Sequence, residues 1–291
     1  MPQGDSIDID VKGPPFDRFK AIRPLATNRS GREATAHTRH RLYVAREKAT
    51  AAQVLIKLTT RPGRIYEQNL SNELDSLTRI NRELTESRYF PLVRDHGHLR
   101  DGRMYLITSL FDEFPLATTV DDERVPSRLV GHLRTTIEVA RALAELHRLP
   151  VYHVDLNPMN ILYRSEHGQP IIRIVDFESS YEPARHGAGL FYDPPTTPNF
   201  SAPEVTRQPP DARADVYSLG AVFYTLLAGY GWTWSGEADA CVRGDHQLEP
   251  ELKAVLQPAV ATDPGARYGT VAQFSDALGA YLERIWPGRR W

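Results

Sequence analysis

The sequence predicts an α+β fold of two lobes, a small β-rich N-lobe followed by a larger helical C-lobe. The chain has 291 residues, which exceeds the roughly 150 residues of an average single domain. Short β-branched and aromatic runs, accompanied by one helical pattern, dominate its first third. Apolar residues at helical spacing dominate the rest, and this order of strands before helices is typical of an α+β protein.

The elements of the first third are predicted from residue type and spacing. The runs at 41–45 and 53–58 are β-branched or aromatic and lack Gly and Pro, which predicts strands. Leucine and isoleucine recur every three or four residues from Leu70 to Leu84, which predicts one apolar face of a helix. An Asp-Gly pair at 101–102 between two apolar runs predicts a β-hairpin.

The remainder of the chain is predicted to be mainly helical. Two strand-like runs, at 160–163 and 171–177, precede a Pro-rich loop at 179–210. The change of pattern places the junction of the lobes near 109–112. Apolar spacing predicts helices at 129–147 and at about 214–228. Two or three further helices are predicted in the remainder, including 252–261 and 271–285.

The predicted domain organisation follows from these segments. Residues 1–15 are polar and contain a Pro-Pro pair, so we expect a flexible leader. We assign 16–110 to the N-lobe and 111–291 to the C-lobe, with one continuous domain over 16–285.

Composition excludes several classes of function. The chain carries 35 basic and 37 acidic residues, a balance that argues against a dedicated nucleic-acid binder. The single cysteine, Cys241, excludes an internal disulfide and a multi-cysteine zinc site. The longest apolar run, 219–228, is about half a membrane span, and the first ten residues lack the pattern of a signal peptide. We therefore expect a cytoplasmic protein without membrane insertion.

The most informative segment reads His153-Val-Asp-Leu-Asn-Pro-Met-Asn-Ile-Leu162. Asp155 and Asn160 lie five residues apart before an apolar strand, and Asp176 follows the next strand. Carboxylate and amide oxygens suit Mg²⁺, which binds through one or two carboxylates together with substrate phosphates. The remaining acid is then available to accept a proton.

At these residues the sequence resembles the protein kinase family, whose motifs read HRDLKPxN and DFG. The resemblance implies that Asp155 is the catalytic base and that Asn160 and Asp176 hold Mg²⁺. Val-Leu-Ile-Lys57 is similar to the family's VAIK strand, so Lys57 is expected to hold the phosphates of ATP and Glu73 to pair with that lysine.

The same resemblance implies a nucleotide pocket. Residues 25–31 are aligned with the glycine-rich loop, 105–110 resemble the strand that leads to the hinge, and Leu162 corresponds to the floor beneath the adenine. The residues expected to contact the nucleotide, besides Lys57, are Leu25, Gly31, Thr108, Ser109, Leu110 and Leu162.

Three later segments extend the resemblance towards the end of the chain. Residues 196–204 are similar to GTPxYxAPE, 215–220 to DVWSLG and 263–268 to DPxxR. The resemblance implies that Asp215 holds the amides of the catalytic loop and that Arg267 pairs with Glu204. A threonine at 197 favours serine and threonine as acceptors.

The chain departs from the family pattern at several positions. Without an arginine at 154, we do not expect a phosphorylated loop to switch activity. Side chains in the glycine-rich loop reduce access of its backbone amides to phosphate, and loss of the DFG glycine restricts backbone rotation. The departing residues are Ala26, Asn28, Leu55, Val154, Asn157 and Glu178.

The resemblance thus implies an ATP- and Mg²⁺-dependent protein serine/threonine kinase, able to phosphorylate itself. Its protein substrate is not predicted, and self-association or a regulatory partner protein is compatible with the sequence. One alternative is an inactive pseudokinase that acts as a nucleotide-sensing interaction module. The second is a small-molecule phosphotransferase of the aminoglycoside or choline kinase type, against which the segments at 196–204 and 215–220 argue.

Overall fold

A computed structural model describes residues 11, 13–25, 40–120, 126–187 and 196–288. Most of the predicted leader therefore lies outside the described residues. Contacts divide the chain into two compact units. The first comprises Met1–Thr78 and Pro91–Asp112, and the second comprises Arg79–Phe90 and Glu113–Trp291.

The first unit contains a five-stranded antiparallel sheet in the order β1-β2-β3-β5-β4. The runs predicted as strands lie in its second and third strands, and the predicted hairpin is formed by its last two. Strand β1, at one edge of the sheet, was not predicted, because its charged residues and its terminal proline are unusual in central strands. The strands are β1 Phe19–Pro24, β2 His40–Glu47, β3 Gln53–Thr59, β4 Val93–His98 and β5 Met104–Ser109.

Helix α1, Arg64–Glu83, follows β3 and begins one and a half turns before the first residue of the predicted apolar face. The first turn was missed because it contributes little to that face: Ile65 is 72 % exposed. Further along, Leu70 packs with Met104 and Leu106 of β5. Residues up to Thr78 belong to the first unit, and the last turn belongs to the second.

The second unit is built around α4, which is buried over nearly all of its length. Gly220 of α4 permits a close approach to the helix beside it, because a Cβ at that position would lie 2.8 Å from Cγ1 of Val260. None of the helices that the structure describes is long and apolar enough to cross a bilayer. The helices are α2 Leu129–His147, α3 Pro183–His186, α4 Ala212–Ala228, α5 Ala238–Gly244, α6 Pro250–Ala259 and α7 Val271–Ile285.

A three-stranded sheet completes the second unit, with β6 Phe114–Pro115, β7 Ile161–Glu166 and β8 Gln169–Ile174. The predicted strand at 171–177 was wrong at its end, since β8 stops at Ile174. There the chain leaves the ladder because Asp176 adopts a φ of 67°. The turn between β7 and β8 contains His167 and Gly168, both with positive φ, as tight hairpins require.

Candidate active site

The first unit holds Lys57 in the middle of β3, where it is in register with Leu42 of β2 and Leu106 of β5. Its Nζ lies 2.6 Å from Oε2 of Glu73 on α1, and the side chains are 8 % and 3 % exposed. Both side chains have lost most of their contact with water, and their mutual attraction compensates for that loss. Either charge alone at this position would be buried without compensation, which is strongly unfavourable. The structure therefore brings together the predicted lysine and glutamate.

The predicted nucleotide contacts of the first unit lie at its strand ends. Thr108 is buried opposite Leu55, in β5. The backbone and side chain of Ser109 both bond to Leu92, at 2.8 and 2.9 Å. Leu110 N donates to the carbonyl of Gln53 at 3.2 Å.

Of the predicted glycine-rich loop, residues 25–31, the structure describes only Leu25. Leu25 N donates to Leu42 O at 2.9 Å, which continues the pairing of β1 with β2. Gly31, Ala26 and Asn28 lie outside the described residues.

In the second unit, Asp215 of α4 anchors the segment that carries the catalytic motif. Its carboxylate accepts the backbone N–H groups of His153 and Val154, each at 2.8 Å. Nε2 of His147 donates to the same carboxylate at 2.8 Å. Burial alone would raise the pKa of Asp215, but the hydrogen bonds from the histidine and the backbone hold it below its ordinary value. Asp215 thus remains charged and fixes the loop, as the resemblance implied.

The side chain of His153 is fully buried and supports the loop from below. Nε2 donates to the carbonyl of Val175 at 3.0 Å, and the ring packs 5.1 Å from that of Phe177. Phe177 in turn makes an edge-to-face contact with Phe90, at 5.9 Å. These contacts tie the catalytic motif to the segment that contains Asp176.

Asp155, the predicted base, is 8 % exposed. Its Oδ1 accepts Thr197 N at 2.8 Å and the hydroxyl of Ser201 at 3.0 Å. Burial raises the pKa of Asp155, while the hydrogen bond from Thr197 acts in the opposite direction. A carboxylate with a raised pKa accepts a proton more readily than an exposed one.

Two asparagines complete the loop. Nδ2 of Asn157 donates to the carbonyl of Asp155 at 3.1 Å and to the hydroxyl of Thr197 at 3.0 Å. Asn157 replaces the lysine of the family motif, and here it joins the catalytic loop to the segment around Thr197. Nδ2 of Asn160 also donates to the carbonyl of Asp155, at 3.0 Å, which orients its amide group.

Asp176 and Leu162, the remaining predicted site residues, also belong to the second unit. Val175 N donates to the carbonyl of Asn160 at 3.0 Å, so the residue before Asp176 is bonded to the other predicted metal ligand. Leu162 lies in β7, in register with Pro115 and Arg173.

The implied pair of Glu204 and Arg267 is present. The guanidinium donates to both carboxylate oxygens, at 2.6 and 2.8 Å, and lies 4.9 Å over the ring of Tyr217. A two-pronged arginine bond of this kind fixes orientation as well as charge. It holds the end of the 196–204 segment against the helical core.

Another buried carboxylate, that of Glu182, holds the segment that follows Asp176. Its side chain is 4 % exposed and accepts from Arg79 at 2.8 Å and from Arg185 at 2.9 Å. Glu182 N donates to Nδ1 of His186 at 2.9 Å, and burial lowers the pKa of that histidine to about 4. We call Glu182, Arg79 and Arg185 the Glu182 clamp.

Sequence reasoning missed the roles of Ser201, Glu182 and His147. Ser201 was seen only as a member of a motif, and its hydroxyl contact with Asp155 depends on how residues 197–201 turn. Glu182 and His147 each act on a residue more than 65 positions away, except for the local bond to Arg185. No spacing rule in a single sequence could have identified these contacts.

Comparison with known proteins identifies the family. The family model described as protein kinase domain matches residues 40–272. The chain belongs to the protein kinase family. Its predicted α+β kinase fold is confirmed by crystal structures of the PknI kinase domain of Mycobacterium tuberculosis. A double mutant of that domain aligns with a TM-score of 0.59 and 21 % identity, over 91 % of this chain and 96 % of the other.

Curated relatives include serine/threonine kinases. Ribosomal protein S6 kinase alpha-1 of Rattus norvegicus is 29 % identical over 250 residues, which cover 84 % of this chain and 31 % of the relative. Serine/threonine-protein kinase Pkn1 of Myxococcus xanthus is 32 % identical over 200 residues, or 62 % of this chain and 28 % of the relative. The chain thus spans less than a third of the length of these relatives, and its similarity to them agrees with the predicted class of enzyme.

Proposed function

We propose that this chain is an ATP- and Mg²⁺-dependent protein kinase that transfers the γ-phosphoryl group to serine and threonine hydroxyls. The observation that carries the proposal is the environment of Asp155. Its buried carboxylate is bonded to Thr197 and Ser201, in the segment that resembles the family's peptide-binding motif. The candidate base is thereby tied to the segment that would position the acceptor.

The residues of the chain divide the chemistry between them. The ammonium of Lys57, oriented by Glu73, would hold the phosphates of ATP. Asp155 would orient the acceptor hydroxyl and take its proton, which its raised pKa favours. Asn157 would keep Thr197 against the catalytic loop. Catalysis of this kind depends mainly on positioning and electrostatic stabilisation.

The donor set of the second unit fits Mg²⁺. Nδ2 of Asn160 donates to the carbonyl of Asp155. The side-chain oxygen of Asn160, Oδ1, points away from that bond and could coordinate a cation. Asp176 adds a carboxylate, and a hard cation prefers such oxygen ligands. When bound, the ion would offset the negative charge of the phosphates.

The decisive experiment measures transfer of labelled phosphate from ATP to a protein in the presence of Mg²⁺. Asp155→Ala is expected to reduce transfer by roughly 10²- to 10⁴-fold, the usual contribution of a general base. Ser165→Ala, on the exposed part of β7, is the matched control and should retain activity. Equal transfer by the wild type and Asp155→Ala would contradict the role of the base.

The same assay separates the alternatives. Stabilisation by ATP and Mg²⁺ without transfer to any protein would indicate a pseudokinase. Turnover stimulated by aminoglycosides or choline rather than by protein would indicate a small-molecule phosphotransferase. Mass spectrometry of the wild-type chain after incubation would identify serines or threonines that it phosphorylates on itself.

A further inference from the structure

A pocket of about 420 Å³ lies in the second unit, formed by α2, the β7–β8 hairpin and the segment after α1. It uses none of the residues placed in the candidate active site. Three arginines line it. Arg134 and Arg141 stand on one face of α2, seven residues apart, and Arg88 belongs to the segment after α1. We call this cavity the arginine pocket.

Two carboxylates also line the arginine pocket, and each lies near at least one arginine. Glu138 is 8 % exposed and lies 3.3 Å from Arg88 and 2.9 Å from Arg141. The hydroxyl of Tyr89 donates to the same carboxylate at 2.7 Å. Glu166 lies 3.7 Å from Arg164, outside the pocket. The acidic charge is therefore already offset.

Arg134 differs from its neighbours because, among the residues that the structure describes, no carboxylate forms an ion pair with it. Its Nη1 donates a long hydrogen bond of 3.5 Å to the carbonyl of Gly168, at the positive-φ turn. Its Nε is buried and has no hydrogen-bond partner among the residues that the structure describes. A buried guanidinium N–H without an acceptor is unfavourable, so an incoming oxygen would satisfy it.

We propose that the arginine pocket binds a phosphate monoester. Arg134 would supply the principal charge, and the two arginines that flank Glu138 add positive charge on side chains that are 72 % and 53 % exposed. Donors on separate elements approach a ligand from several sides. Such an arrangement of donors suits a phosphate group, whose oxygens point in tetrahedral directions. A planar carboxylate needs less, because one guanidinium can donate hydrogen bonds to both of its oxygens.

The volume of the pocket, about 420 Å³, leaves room for a phosphate group with further atoms attached to it. Two sources share this chemistry: a phosphorylated serine or threonine of a protein segment, and a free phosphorylated metabolite. Binding at this pocket does not depend on phosphotransfer by the chain.

The test is calorimetric titration of the full chain with O-phosphoserine, a short phosphoserine peptide, and the same peptide with glutamate in place of phosphoserine. Arg134→Gln is expected to weaken binding of both phosphorylated probes at least about tenfold, through loss of a charge-assisted bond. Arg148→Gln, exposed at the end of α2, makes the same change in net charge and should bind as the wild type does. Arg134→Lys keeps the charge without the planar fork and should give an intermediate affinity.

Each outcome bears on the proposal. Tighter binding of the phosphopeptide than of O-phosphoserine identifies a protein segment as the source, and equal binding identifies a small metabolite. If the glutamate peptide binds as tightly as the phosphopeptide, or if Arg134→Gln leaves affinity unchanged, the proposal is wrong. Circular dichroism and thermal unfolding of each variant establish that it is folded before it is titrated.

Discussion

The two units position their candidate catalytic groups in different ways. In the first unit, Lys57 is fixed by the register of a regular antiparallel sheet and by one ion pair with α1. In the second unit, Asp155 and Asn160 lie in an irregular loop, outside the strands. That loop is fixed by side chains that bond to its backbone, above all by Asp215.

This difference predicts in which unit the loss of a single side chain should lower stability more. A sheet distributes its stability over many backbone hydrogen bonds, so loss of one side chain leaves the strand in place. A loop held by a single buried carboxylate loses several bonds at once when that carboxylate is removed. The predictions below test this contrast, from the largest expected effect to the smallest.

Removal of the anchor in the second unit should have the largest effect. Asp215→Ala deletes the acceptor of two backbone N–H groups and leaves His147 without its partner. We expect the free energy of unfolding to fall by about 3–5 kcal/mol, together with loss of phosphotransfer. Chemical denaturation measures this, with Asp211→Ala as the control. Asp211 caps the same helix from a more exposed position, so its removal should lower stability by only about 1 kcal/mol. Equal effects of the two variants would contradict the contrast.

Disruption of the ion pair in the first unit should be next in size. Glu73→Leu leaves the ammonium of Lys57 buried without its counter-charge, and we expect a loss of about 3 kcal/mol. The double variant Lys57→Met/Glu73→Leu should recover much of that stability while phosphotransfer remains absent, since a buried ion pair can be replaced by apolar side chains. A double-mutant cycle by denaturation measures the coupling. Strictly additive losses would mean that the two side chains do not stabilise each other.

Loss of the Glu182 clamp should be smaller, because both arginines are partly exposed. Glu182→Gln keeps the shape of the side chain but removes its charge. We expect the free energy of unfolding, measured by chemical denaturation, to fall by about 1–2 kcal/mol, together with lower kinase activity.

Phosphatase treatment of the wild type should leave activity largely unchanged, since Val154 stands where the family carries its phosphate-binding arginine. A large drop after dephosphorylation would show that a phosphate, and not the clamp, holds the segment.

The smallest effect concerns the pH dependence of activity. Protonated Asp155 cannot accept a proton, so activity should fall as the pH falls through its raised pKa. The hydrogen bond from Ser201 lowers that pKa, so Ser201→Ala should move the acid limb of kcat/KM to higher pH. The variant should be several-fold less active than the wild type on that limb and close to it well above. An unchanged limb would separate Ser201 from the titration of the base.

The contrast between the units also explains what could be predicted from the sequence. Strands β2, β3 and β5 and helices α1, α2, α4, α6 and α7 follow residue type and spacing, which are local properties. The short helix α3 lies inside the predicted loop at 179–210 and was missed. Asp155, Asn160 and Asp176 were predicted as site residues because they occur in short motifs that resemble those of the family. The end of β8 was predicted wrongly because Val175 and Phe177 continue an apolar pattern while the backbone turns away at Asp176. Ser201, Glu182 and His147 depend on contacts between distant segments, which a pattern does not contain.

The Glu182 clamp has one more consequence. A phosphate group is added and removed by other enzymes, whereas Glu182 is part of the amino-acid sequence and is present in every copy of the chain. If Glu182 takes the place of a phosphate in holding the segment that follows Asp176, we expect dephosphorylation not to switch the chain off. The amount of phosphorylated product would then depend on how much of the chain the cell makes and on which substrates and partners bind to it.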